Sequence, residues 1–281
     1  MERFACGSLF SLPDLRDYVA TTQKTAFPED FELGVMPEVK SQGSVGSCVA
    51  HALSILTEYF NEKETGKFTK MSTGYIYGNR TLSAYKGEGM ITRDAIKTLS
   101  KYGNVPYEKF PNNIEVPDAI EEYEKVADSL ESVGTPYRIQ SYFRLNTDED
   151  IKAHLMDGNL VVFAMYWYDD IKIVDGVMVT DQVKTSKTGG HCMVIYGWNE
   201  RGWLVQNSWG SDWGDGGRFV LPYNVSKKET WGTVDYKSDS TLDVTKPFNS
   251  NVGKAFAKCL HNICKFFHNL FNKIKNMFNK K

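Results

Sequence analysis

The sequence predicts an α+β protein of two lobes, and three observations carry that expectation. Between residues 47 and 157, apolar side chains recur at the three-and-four spacing of helices. From residue 159 to 224 the texture changes to β-rich runs separated by Gly, Asn and Asp, the pattern of an antiparallel sheet. The 281 residues, 41% hydrophobic and 24% charged, suffice for one large domain or two modest ones with a real core. A helical half followed by a β half leaves room for a cleft between the lobes.

The elements follow in chain order. Residues 1–26 read as an extended lead-in with Pro13 and the charged DLRDY, and the domain proper starts at AFPEDFELG. The expected boundaries are a tail over 1–26, a domain over 27–240 and a C-terminal segment over 241–281. Val49, Ala52, Leu53, Leu56, Tyr59 and Phe60 form a helical stripe behind Ser47, a suitable N-cap that puts Cys48 at the first helical position. A second helix is expected in ITRDAIKTLSKYG, capped by Thr92 and stopped by Gly103. PDAIEEYEKVADSL and TDEDIKAHLMDG make two more, the latter opened by a capping box from Thr147 to Asp150. NLVVFAMYW, GGHCMVIYGWN, GWLVQNSWG and GGRFVLPYN supply the strands, and no internal repeat is present.

Charge is unevenly spread. The net charge of -2 predicts no nucleic-acid partner, but eight of the 33 basic residues and none of the 35 acidic ones follow Asp243. Residues 252–278 place Phe256, Leu260, Ile263, Phe267, Leu270 and Phe271 on one helical face and Lys254, Lys258 and Lys265 largely on the other. This basic amphipathic helix has three readings: packing on the body or self-association, peripheral docking on an anionic membrane, or a metal site from Cys259, His261, Cys264 and His268. The last fits no standard zinc spacing, so no metal and no cofactor are expected. Five scattered cysteines do not form a disulfide framework, and neither a secretory signal nor a spanning segment is recognisable. Cytoplasmic synthesis is expected, with peripheral membrane or virion association left open by the tail.

The chemistry centres on SQGSVGSCVAHA. A thiol attacks carbonyls as its thiolate, and a helix N-terminus and a partner imidazole both favour that form. His51 lies three residues beyond Cys48, about 300° round the helix, so its position suits packing and not a role as base. A zinc pair of Cys48 and His51 lacks further ligands. His191 and Asn207, on what read as adjacent antiparallel strands, make a base and the amide that fixes its tautomer. Trp209 is placed to shield that bond, and the Gln42 side chain with the Cys48 amide to bind an oxyanion. Each residue alone would pass as a core thiol, a core histidine or core packing.

Together, QGSVGSC, GEGMITRDAIKTLSKYG, GGHCMVIYGW and NSWGSDWGDGGRF closely resemble the papain family of cysteine proteases, over about Phe27 to Tyr223. The resemblance implies the two-lobe papain-like fold, with a helical left lobe and a β right lobe. It also implies Cys48 as nucleophile, His191 as base, Asn207 as orienting residue and Gln42 as oxyanion donor. Gly89 matches the glycine that pairs with an extended peptide substrate, and Gly190 and Trp209 line the same cleft. The chain departs from the family pattern in lacking the disulfide cysteine before the nucleophile, in Val49 where a tryptophan is usual, in Gly190 where many members have Asp, and in Cys192 after the base. The short lead-in looks like bacterial and viral members of the xylellain type, so residues 1–26 are expected to lie over the cleft as a lid. The function implied is a cysteine endopeptidase acting on peptides or proteins through a Cys48 thiolate and His191 imidazolium. The rival readings are acyl transfer on another substrate and a catalytically silent, peptide-binding or membrane-targeted protein.

Overall fold

The computed structural model describes residues 5–12, 14–82, 87–111, 130–180, 187–235 and 242–245. Most of the helix expected over 117–130, and all of the amphipathic segment 252–278, lie outside them. Helix α1, Cys48–Thr65, is buried on every side from Cys48 to Phe60, so it is the spine of its lobe and not a surface helix. Ser47 is its N-cap as expected, but the hydroxyl makes no cap bond; it faces His51 Nδ1 at 3.3 Å instead. Gly66, at φ 67°, ends the helix in the left-handed conformation that glycine adopts without strain. Helix α2, Thr73–Gly78, is capped by the Ser72 side chain. Helix α3, Thr92–Tyr102, starts one residue earlier than expected, with Ile91 as N-cap. Thr92 lies inside the helix because its hydroxyl is engaged by Ser8 Oγ at 3.2 Å. The helix Asp148–Met156 opens with the complete Thr147–Asp150 capping box.

The strands are β1 (Ser8–Leu9), β2 (Val19–Thr21), β3 (Phe31–Glu32), β4 (Met90–Ile91), β5 (Ser141–Leu145), β6 (Val161–Tyr168), β7 (Lys172–Val174), β8 (Val177–Val179), β9 (Lys187–Asn199), β10 (Gly202–Gln206), β11 (Arg218–Leu221), β12 (Glu229–Val234) and β13 (Asp243–Thr245). The larger sheet runs β13-β2-β5-β12-β6-β9-β10-β11-β8-β7, with β3 on β9. The β6-β9-β10-β11 ladder is antiparallel and accounts for the β-rich runs of the second half. Two features escape pattern reading. Strand β2, from the lead-in, joins the sheet parallel to β5, and β1 pairs parallel with β4 to make a separate two-stranded sheet.

One hydrophobic cluster joins the two halves: Val49, Leu53 and Leu56 of α1 share it with Val162, Phe163, Val194 and Ile195 of the sheet. Burying side chains of this size contributes about 1.5–3 kcal/mol each. Lys40 pairs with the fully buried Glu58 of α1, whose Oε1 also accepts the Met71 amide at 2.8 Å. These bonds fix the approach to Cys48 against its own helix.

Candidate active site

Cys48 opens α1 with no exposed surface. Its sulfur faces the amides of Cys192, Gly7 and Val49 and its own, all of which favour the thiolate, yet burial outweighs them and pushes the thiol pKa up. His51 Nδ1 turns back onto the Ser47 carbonyl at 3.0 Å, and burial lowers its pKa to about 4. It belongs to the helix packing.

His191 is presented by β9 opposite Met165 of β6, and Asn207 follows β10 directly. His191 Nε2 lies 2.7 Å from Asn207 Oδ1, and the Ser208 amide donates to the same oxygen at 2.7 Å. An atom that accepts a backbone N–H is an oxygen, so His191 must carry its proton on Nε2. Nδ1 has no hydrogen-bond partner among the described residues, and in this tautomer it carries the ring's basic lone pair. Trp209 stacks on the ring at 4.4 Å and 23°, and Trp167 meets it edge-on at 5.5 Å. Trp213 and Phe219 extend this aromatic wall behind Trp209 and Trp167, which keeps water from the His191–Asn207 bond. Burial lowers the His191 pKa to about 4, against the raising effect of Asn207. Burial therefore opposes charge on both the Cys48 thiol and the His191 ring in this closed arrangement.

Gln42 is fully buried, and its amide is oriented at both ends. Oε1 accepts Ser208 Oγ–H at 2.6 Å, while Nε2 donates to the Val45 carbonyl at 2.8 Å and to the Ala5 carbonyl at 3.1 Å. Ala5 belongs to the lead-in, which runs through the site. Gly7 O accepts the Met90 amide at 2.8 Å, and Ser8–Leu9 pair with Met90–Ile91. A Cβ on Gly7 would lie 1.8 Å from the Gly46 carbonyl, one on Gly89 2.4 Å from Gly7 O, and one on Gly190 2.0 Å from Ser8 O. The glycines at 7, 89 and 190 therefore let three backbones meet with no side chain between them. Farther along, Ser11 N faces Glu229, Arg93 holds Asp17, and Arg144 bridges Asp17 and Glu229.

A thiol at a helix start, an imidazole aligned by an amide and a side-chain amide beside them are thus assembled from three separate segments: Gln42 to Cys48, β9, and the residues after β10. The family model for papain family cysteine proteases matches residues 28–237. The chain belongs to the papain family of cysteine proteases. An uncharacterized peptidase C1-like protein of Acanthamoeba polyphaga mimivirus is 30% identical over 259 residues, covering 79% of this chain and 83% of that protein. Vignain of Phaseolus vulgaris is 25% identical over 201 residues, 70% of this chain and 54% of its own length, so this chain spans about half of that relative. Among solved structures, xylellain, a cysteine protease from Xylella fastidiosa, superimposes with a TM-score of 0.73 at 25% identity, covering 84% of this chain and 99% of xylellain. The procathepsin B of Trypanosoma congolense shares the fold at a TM-score of 0.64 and 17% identity, covering 83% of this chain and 87% of that one.

Set against the family pattern, the structure brings together Gln42, Cys48, His191, Asn207 and Trp209, and lays the lead-in over Gly89 and Gly190. Two contributors carry no signal that spacing could expose: Ser208 orients Gln42 from 166 residues away, and Tyr77 Oη accepts the Gly89 amide at 3.2 Å. No group of three or more His, Cys, Asp or Glu placed to hold a metal occurs among the described residues.

Proposed function

We propose that the protein is a cysteine endopeptidase in a latent, strap-closed state, with Cys48 as nucleophile and His191 as general base. Once the strap leaves, Cys48 Sγ attacks a peptide carbonyl and passes its proton to His191 Nδ1. The oxyanion takes the Gln42 Nε2–H that Ala5 O now occupies, together with the Cys48 amide. His191 protonates the departing amine, then takes a proton from the water that hydrolyses the thioester. Asn207 holds the ring through both transfers and Trp209 keeps that bond dry. Solvation of the opened cleft removes the burial that keeps both groups neutral, so the ion pair belongs to the open state.

The observation that supports this reading best is the carbonyl of Ala5 on Gln42 Nε2, since a carbonyl seated there imitates an acyl group awaiting attack. On this reading residues 1–26 are the lid, 27–240 the catalytic domain and 241–281 an accessory segment. The basic, phenylalanine-rich face of residues 252–278 suits peripheral contact with anionic lipid, tested by co-sedimentation of the full chain with phosphatidylserine vesicles.

The test is the pH dependence of labelling by an E-64-type epoxide, with mass mapping, on the wild type, His191→Ala and Gly7→Ala. Gly7→Ala drives a methyl into the Gly46 carbonyl and expels the strap without touching the catalytic groups. Labelling of Cys48 in Gly7→Ala that persists well below the ordinary thiol pKa, and weakens with His191→Ala, supports the reading. An unlabelled Cys48 in Gly7→Ala rejects it in favour of a silent peptide-binding protein.

A further inference from the structure

The strap carries a thiol to the nucleophile. Cys6 precedes Gly7, whose amide faces the Cys48 sulfur, so only the Cys6 carbonyl carbon separates that nitrogen from the Cys6 Cα. On the other side, the Cys6 Cβ lies 2.8 Å from the position a Cβ would take on Gly189, two residues before His191. Ala5 O on Gln42 and Gly7 O on the Met90 amide hold this segment on both flanks of Cys6. Cys6, Cys48 and Cys192 are all free thiols.

We propose that Cys6 and Cys48 form a reversible disulfide that locks the strap across the cleft when the protein meets a peroxide. The inference rests on Cys48 being the reactive thiol of the preceding section. When the strap lifts, Cys48 passes its proton to His191 and the thiolate attacks one oxygen of hydrogen peroxide; an S–O bond forms, the O–O bond breaks and the departing hydroxide takes the proton from His191 as water, giving a sulfenic acid. The Cys6 sulfur then attacks the Cys48 sulfur; the S–S bond forms, the S–O bond breaks, and the hydroxyl leaves with the Cys6 proton as water. Two thiols are oxidised to one disulfide and one peroxide is reduced to two waters.

Cys192 also borders the nucleophile but is the poorer partner. It is fixed in β9 opposite Ala164 of β6, two residues from the point where β10 joins, whereas a disulfide demands a specific Cα separation and dihedral. A strap held by a few hydrogen bonds adjusts to that demand; a central strand does not. Burial keeps the Cys6 thiol protonated, pushing its pKa up to about 12, so Cys6 stays a passive partner until Cys48 is oxidised.

The experiment treats the reduced full-length protein with hydrogen peroxide and maps peptides by mass under non-reducing conditions, alongside Cys6→Ser. The expected result is a peptide pair joined through Cys6 and Cys48, lighter by two hydrogens, with complete loss of Cys48 alkylation that dithiothreitol reverses. In Cys6→Ser, peroxide instead drives Cys48 to a sulfinic acid that dithiothreitol does not reverse. A wild-type Cys48 that gains oxygen without joining Cys6, or that joins Cys192, overturns the proposal. The mass readout is independent of turnover. A Cys6–Cys48 bond in a protein whose reduced Gly7→Ala form is inert sinks the peptidase reading and keeps the latch, while active Gly7→Ala with no bond in the wild type does the reverse.

Discussion

Asn207 Oδ1 takes two donors within 2.7 Å, and the second one decides what the first can do. The Ser208 amide pins the oxygen, the oxygen pins the His191 tautomer, and the tautomer leaves Nδ1 basic. Asn207→Ala should therefore lower kcat by roughly a hundredfold or more with KM little changed, because orientation matters only during proton transfer. Steady-state kinetics on a Gly7→Ala background measure this, and an unchanged kcat would show that Trp209 alone holds the ring. His51→Ala should do the opposite. It removes the ring contact to the Ser47 carbonyl, which keeps the His51 amide as its donor, and leaves a buried void, costing about 1–3 kcal/mol by urea unfolding while turnover per folded molecule stays near wild type. Equal loss of turnover in His51→Ala and His191→Ala at constant stability would reassign the base. The sequence exposes Cys48, His191, Asn207 and Gln42 because the chemistry restricts each to one or two residue types. Ser208 stays hidden, since a serine is common and its partner lies 166 residues off.

At the scale of elements, legibility follows the same divide between local and distant causes. The Thr147 capping box forms as the sequence implies because both of its bonds lie within four residues. Thr147→Ala should cost about 1 kcal/mol in chemical denaturation, a loss that Thr147→Ser should largely avoid. Helix α3 begins a residue early because Ser8, 84 positions away, engages the Thr92 hydroxyl, and no local pattern contains that fact. The strap is the extreme case. Its strands are two and three residues long, too short for a period, and it is held by Arg93, Arg144 and Glu229 from three distant elements. Asp17 joins two of those arginines, so Asp17→Ala should loosen the strap far from the chemistry. Epoxide labelling of Cys48 should then rise toward the Gly7→Ala rate, by about tenfold or more if the closed form dominates the wild type. Labelling unchanged from wild type would mean that the contacts around Ala5 to Ser8 suffice to keep the cleft shut.

Across the described residues the molecule encloses three histidines, and that sets its response to acid. His51, His154 and His191 are buried and held neutral, with pKa values lowered to about 4, about 3 and about 4. His154 accepts the Thr233 amide at Nε2 and sits edge-on to Phe143 in the core, so protonation there would break a bond as well as bury a charge. Each folded value lies below the unfolded one of about 6.5, so on acidification the unfolded chain takes up protons first. Their contribution is therefore fully present above about pH 6.5 and is lost as pH falls toward the folded values. With a shift to about 4, His51 alone accounts for on the order of 2 kcal/mol by about pH 5. Glu58 works in the opposite direction, because burial raises its pKa against the pull of Lys40, so it offsets part of the loss. Urea unfolding should accordingly show stability falling steadily between about pH 7 and about pH 5. The three imidazoles are separable. The strap covers His191 but not His154, so Gly7→Ala should lose part of this acid sensitivity while keeping the part that His154 supplies. An identical pH slope in both proteins would mean that His191 stays dry without the strap, and that the aromatic wall of Trp209 and Trp167 alone holds it neutral.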